Sequence, residues 1–112
     1  MGWRAEFPPE YDIPHEIEDL VRSRIIDDTS WRLDASPSFS ARLAKGWIRL
    51  WIEHPQLKYR LGSPYRFSVE VTKNLNIPGR RLIEDNVLSE VMPTFMAAVE
   101  NLGYRRHWRL LE

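Results

Sequence analysis

The stretch from Ser38 to His54 alternates apolar and polar side chains around a Lys45-Gly46 pair, and this alternation limits what the chain can fold into. Successive side chains of a β-strand point to opposite faces. A hairpin with Lys45-Gly46 as its two-residue loop therefore collects the apolar residues on one face: Phe39, Ala41, Leu43, Ile48, Leu50 and Ile52. In this register Phe39 lies opposite Ile52. Because a slip of one residue mixes the two faces, the pattern predicts an antiparallel hairpin with one buried face.

The opposite face of this hairpin is rich in tryptophan and arginine. Both residue types are enriched in binding hot spots, and guanidinium groups stack on indole rings. We therefore predict that this face binds a protein partner or a second copy of the chain through Trp47, Trp51, Arg49 and Arg42, joined by Arg66 if the following strand is adjacent. The alternative is that arginine stems or the N-terminal segment cover the indoles.

The residues before the hairpin predict an arm, a helix and a short strand. We expect residues 1–13, with their Pro8-Pro9 pair, to form an extended arm on the body of the domain. A helix is predicted from about Pro14 to Ile25, because proline fits a first helical turn and the apolar residues then follow helical spacing. Residues 30–34 alternate Trp31 and Leu33 with polar side chains, which predicts a strand.

The residues after the hairpin predict a strand, a helix and a last strand. Tyr65 to Thr72 alternates cleanly and follows a loop over residues 56–64. A turn over residues 73–79 leads to a helix capped at Asp85 or Asn86 and ending before Gly103. The apolar stripe of this helix stays in phase across Pro93, which favours one kinked helix. We expect residues 104–111 to be the last strand.

These elements predict an α+β fold in the order α-β-β-β-β-α-β. The amphipathic helices need an apolar surface to cover, and the sheet offers one. We therefore expect a mostly antiparallel sheet of about five strands with two helices packed on one face. The length of 112 residues is that of a single domain, here residues 1–112.

The charge of the chain argues against a dedicated nucleic-acid binder. The chain has 16 basic and 16 acidic residues, so its formal net charge is zero. The alternative of a module for single-stranded nucleic acid or an anionic ligand depends on stacking and on the basic middle of the chain. A second, weaker anion site is predicted at Arg80 and Arg81, which follow a Pro78-Gly79 turn.

Sequence motifs for catalysis, metals and membranes are missing. The chain has no cysteine, and its three histidines have no ligand at a recognised metal spacing. No nucleophile motif is present, so we expect no enzymatic activity, no cofactor and no metal, with an enzyme of unrecognised site as the further alternative. No apolar run reaches the length of a membrane span, and the N-terminus does not read as a signal peptide. We therefore expect a soluble, cytoplasmic protein.

Overall fold

A five-stranded antiparallel sheet, in which every strand pairs with its neighbour in the sequence, forms the centre of the molecule. The computed structural model describes the backbone of residues 2–111 and the side chains of residues 2–100. The strands are β1 (Asp27–Asp28), β2 (Ser38–Leu43), β3 (Gly46–Ile52), β4 (Phe67–Thr72) and β5 (Arg80–Asp85). The helices are α1 (Trp3–Glu6), α2 (His15–Arg22) and α3 (Leu88–Leu111). The predicted α+β class with a five-stranded antiparallel sheet is confirmed.

One face of the sheet, the inner face, carries the apolar side chains and is covered by helices. Its buried residues are Phe39, Ala41, Ile48, Leu50, Ile52, Phe67 and Val69. Ile17 of α2 and three residues of α3, namely Val91, Phe95 and Val99, are buried in the same cluster. Burying apolar area is the main favourable term in folding. The helices therefore pack where the alternation in β2 and β3 predicts an apolar surface.

The hairpin has the predicted faces but a turn one residue earlier than predicted. Leu43 pairs with Gly46 and Phe39 pairs with Leu50, so Ala44 and Lys45 form the turn. The pairing differs from the predicted one by two residues, which leaves every side chain on its predicted face. Gly46 has a φ of 126° and is closely approached by the carbonyl of Thr72, a position that only glycine fits without strain.

The first and fifth strands come from segments other than those predicted. Residues 30–34 form a turn in which Asp34 N–H donates to Trp31, and the first strand is the short β1 just before it. The fifth strand is β5, which precedes α3. In β5 the pairing skips Leu82, because Ile83 pairs with Val69 and Arg81 with Glu70. This bulge breaks the alternation by which a strand is recognised in a sequence.

The segment 104–111, predicted as a last strand, is instead the end of α3. Its alternation does not separate apolar from polar residues, so a period of two carries no signal there. Gly103 lies inside α3 and does not end the helix, although glycine in a helix interior costs about 1 kcal/mol relative to alanine. Pro93 also lies inside α3, as predicted. Within the part of the chain that the structure describes, no helix is both long and apolar enough to pass through a membrane.

The N-terminal segment is folded rather than extended, and it does not cover the tryptophans of the hairpin. It forms α1 and a 3₁₀ turn at Pro9–Tyr11. Trp3 and Tyr11 are buried in the core cluster with Ile13. The backbone N–H of Trp3 donates to Asp28 Oδ2 at 2.9 Å, which attaches the segment to β1. The second face of the sheet, the outer face, is therefore covered by other parts of the chain.

Candidate binding cleft on the outer face of the sheet

The outer face of the sheet is polar and yet largely buried. Its buried residues, each at most 6% exposed, are Ser38, Ser40, Arg49, Glu53, Ser68, Glu70 and Thr72. Three loops approach this face: the β1–β2 loop (residues 29–37), the β3–β4 loop (residues 53–66) and the β4–β5 loop (residues 73–79). Because buried polar groups need partners, the contacts among these side chains decide what the face can bind.

Arg49 and Glu70 form a buried ion pair at the centre of the outer face. The two residues lie directly opposite each other in β3 and β4. Arg49 Nη2 is 2.6 Å from Glu70 Oε1, and Arg49 Nε donates to the same oxygen at 2.7 Å. The guanidinium also donates to the carbonyls of Leu75 and Ile77 at 2.8 and 3.1 Å. Arg49 therefore holds the β4–β5 loop over the sheet.

Trp51 is part of the same network. Its neighbours across the strands are Ser38 and Ser68, whose small side chains leave room for the indole. The indole Nε1–H donates to Glu70 Oε1 at 2.8 Å, and the guanidinium carbon of Arg49 lies 4.4 Å from the ring centroid. A hydrogen bond to a carboxylate and a cation–π contact fix the orientation of the ring. Trp51 keeps partial exposure, towards a cleft.

Glu53 is a buried carboxylate without a cationic partner among the residues whose side chains are described. It is 2% exposed, and its Oε1 accepts hydrogen bonds from the backbone N–H groups of Leu61 and Gly62, each at 3.2 Å. Burial, and secondarily the negative charge of Glu53, raise the pKa of the nearby Tyr11 phenol. The two backbone amides therefore supply hydrogen bonds that this buried carboxylate needs.

Asp34 and Ser36 complete the polar lining from the β1–β2 loop. Burial raises the pKa of the Asp34 carboxyl, while the charge of Arg49 acts in the opposite direction. Ser36 is 1% exposed, and its Oγ has no hydrogen-bond partner among the described residues. An unpartnered buried hydroxyl is costly and often lies where a ligand or water completes its bonding.

We call the space between the three loops the outer cleft; it has a volume of about 230 Å³. Its charged and aromatic lining consists of Asp34, Arg49, Trp51, Glu53, Glu70 and Arg81. Arg49 and Glu70 neutralise each other, and Arg81 lies 3.6 Å from Glu84. The carboxylates of Asp34 and Glu53 are left to set the charge that a bound group meets.

Each of the three loops that form the outer cleft carries an exposed apolar side chain. Leu33 is 72% exposed, Leu61 is 80% exposed and Ile77 is 41% exposed. Ile77 lines the cleft. Leu33 and Leu61 immediately precede, in the sequence, the lining residues Asp34 and Gly62. Single exposed apolar residues need no explanation, but exposed apolar side chains on all three loops of one cleft make these loops a candidate for recognition.

The predicted partner-binding residues are divided among several environments. Arg49 and Trp51 lie in the outer cleft as described above. Trp47 is half-buried near the end of the sheet, with the guanidinium carbon of the exposed Arg42 lying 5.8 Å from its ring centroid. Arg66 does not join them: its Nη2 donates to the carbonyls of Tyr11 and Asp12 at 3.0 and 2.7 Å and holds the N-terminal segment.

The two arginines predicted as an anion site point to different places. They lie at the start of β5 rather than ahead of a helix. Arg81 lines the outer cleft, whereas Arg80 lines a second pocket at the end of the sheet. Adjacent residues of a strand face opposite ways, so the two guanidinium groups do not converge on one anion.

Sequence reasoning missed three residues of the outer cleft as site residues: Glu53, Glu70 and Asp34. The alternation of residues 65–72 puts Glu70 on the polar side of its strand, but its pairing with Arg49 depends on β3 and β4 being neighbours. No group of three or more potential metal ligands converges among the described residues.

No protein-family model matches the chain, and neither a curated protein nor a solved structure is detectably similar to it.

Proposed function

We propose that this chain is a protein-interaction domain whose outer cleft binds an extended segment of another protein. The observation that carries the proposal is a polar cleft whose three loops each expose one apolar side chain, Leu33, Leu61 and Ile77, which we expect to form an apolar rim. An apolar rim offers binding energy through buried area, while the polar floor orients the bound group. Three loops held by a rigid sheet are a common arrangement for recognition.

The charge of the cleft indicates which side chain the partner inserts. Asp34 and Glu53 carry negative charge without a cation within ion-pair distance among the described residues. A lysine or arginine of the partner would supply that cation, and Ser36 Oγ would accept a hydrogen bond from it. We therefore expect the bound segment to place a basic residue between apolar ones.

The hydrogen bonds within the cleft support binding rather than acid–base chemistry. The carboxylate of Glu70 accepts from Arg49 and Trp51 and from the backbone N–H of Gly79. The Oε1 of Glu53 accepts from two backbone amides. Carboxylate oxygens whose lone pairs are already occupied by donors of the protein itself are poorly placed to exchange a proton with a ligand.

Selection of peptides from a phage-displayed random library on the immobilised chain tests this proposal. We expect enriched peptides that contain a basic residue flanked by apolar residues. Their affinity should fall at least about tenfold when Leu33→Asp and Leu61→Asp are introduced together, because the rim then loses its apolar area. The matched control is the pair Ile25→Asp and Val87→Asp, which changes two exposed apolar residues that lie outside all three loops.

Two results would overturn the proposal. One is the absence of enriched peptides, or peptides that bind both double variants equally well. The other is a concentration-dependent dimer in sedimentation experiments that the Leu33→Asp and Leu61→Asp pair abolishes, because the occupant would then be a second copy of the chain.

A further inference from the structure

A second pocket, the end pocket, lies where the β2–β3 turn and the β4–β5 loop meet. Its volume is about 480 Å³, which is within the range of roughly 300–1,000 Å³ for small-molecule sites. Gly46 lies against the carbonyl of Thr72, and Gly79 lies against the carbonyl of Val71, at distances that would not admit a side chain. The two glycines therefore bring the turn and the loop together at one end of the sheet.

The end pocket is basic. Lys45, Lys73 and Arg80 line it, and no acidic residue does. Among the residues whose side chains are described, none of these three cations forms an ion pair. All three side chains are exposed, and an anion bound beside them would supply the counter-charge that they lack. The neutral charge of the whole chain conceals this local excess.

Besides its three cations, the end pocket has an aromatic wall and several apolar lining residues. Trp47 lines it together with Leu43, Val71, Ile77 and Pro78. The guanidinium of Arg42 lies 5.8 Å from the Trp47 ring centroid and adds a cation near this wall. A ligand with a flat apolar ring and an anionic group would match both the aromatic wall and the cations of the pocket.

We propose that the end pocket binds a nucleotide, with the base against the Trp47 indole and the phosphate among Lys45, Lys73 and Arg80. Indole rings stack on bases without regard to sequence, and lysine and arginine are the usual phosphate ligands. A free nucleotide and a nucleotide within a single strand share this chemistry. The end pocket shares Ile77 and Pro78 with the lining of the outer cleft, but the proposal rests on Trp47 and the three cations and does not depend on the proposed peptide binding.

Isothermal titration at low salt with AMP, ATP, adenosine and inorganic phosphate tests the proposal. We expect saturable binding of both nucleotides, and at least about tenfold weaker binding of adenosine and of phosphate, because each lacks one half of the recognised chemistry. The Lys73→Ala and Arg80→Ala pair should weaken nucleotide binding about tenfold or more. The matched control, Arg32→Ala with Lys58→Ala, removes the same charge from exposed positions outside the pocket and should have little effect.

The contribution of the indole and the source of the nucleotide are tested in the same way. Trp47→Leu should weaken nucleotide binding, whereas Trp31→Leu, which changes an exposed tryptophan outside the pocket, should not. The affinities for oligothymidylate and for thymidine monophosphate are also compared. Much tighter binding of oligothymidylate supports a single-stranded ligand, and equal affinities support a free nucleotide. The proposal is overturned if nucleotides bind no better than phosphate, if both double variants lose binding equally, or if only vesicles of anionic lipid bind.

Discussion

Arg49 and Glu70 face each other across β3 and β4 and form an ion pair that is almost completely removed from solvent. Their side chains are 3% and 4% exposed, and the closest nitrogen and oxygen are 2.6 Å apart. Each charge also has further partners: Arg49 donates to two carbonyls of the β4–β5 loop, and Glu70 accepts from Trp51. The pair therefore links the sheet, the loop and the tryptophan of the outer cleft into one unit.

Glu70→Gln should strongly destabilise the fold. The substitution leaves Arg49 buried without its counter-charge, and breaking a buried pair in this way costs about 3–5 kcal/mol. Chemical denaturation measures the loss in the free energy of unfolding. Asp19→Asn is the control, because it breaks a pair with Arg22 in which both side chains are largely exposed, and such pairs contribute at most about 1 kcal/mol. Equal losses for the two substitutions would show that Arg49 and Glu70 are not a buried pair.

Arg66→Met should release the N-terminal segment without unfolding the sheet. Methionine retains an unbranched apolar stem but cannot donate to the carbonyls of Tyr11 and Asp12. We expect faster amide hydrogen exchange in residues 3–13 and unchanged exchange in β3, because local opening has its own free energy. Arg22→Met, which removes an exposed ion pair with Asp19 outside this segment, is the control. Unchanged exchange in residues 3–13 of the Arg66 variant would contradict the structure.

Asp34→Asn should stabilise the chain at neutral pH and lose this advantage in acid. Burial raises the pKa of Asp34 above its usual value of 3.8. Above the raised pKa the folded protein therefore holds a carboxylate that solvent stabilises better in the unfolded chain. As the pH falls through the raised pKa towards 3.8, the folded wild-type protein takes up this proton and its stability approaches that of the variant. The free energies of unfolding of both proteins at a series of pH values check this, and an advantage that grows in acid would contradict it.

The faces of the hairpin are predictable from the sequence, whereas the cover of the outer face is not. Phe39 and Leu50 are buried against the helices, and each belongs to a strand whose side chains alternate between the two faces of the sheet. This alternation can be recognised from adjacent residues in the sequence. The partners of Arg49 are 21 to 28 residues away in the sequence. The pattern of β3 does not contain them, so the sequence does not distinguish an open surface from a covered one at Arg49. β5 is not predicted from the sequence because the bulge at Leu82 interrupts the alternation of side chains, which is the only local signal of a strand.

The indole N–H resonance of Trp51 provides the most direct measurement of the central claim, that the outer cleft binds a polypeptide. A selected peptide is titrated into isotope-labelled protein, and the indole resonances of the five tryptophans are followed by NMR. The account predicts that the resonance of Trp51 shifts with saturation, together with the backbone amides of Leu61 and Gly62, while that of the buried Trp3 stays unchanged. A peptide that binds without shifting the Trp51 indole would contradict the account.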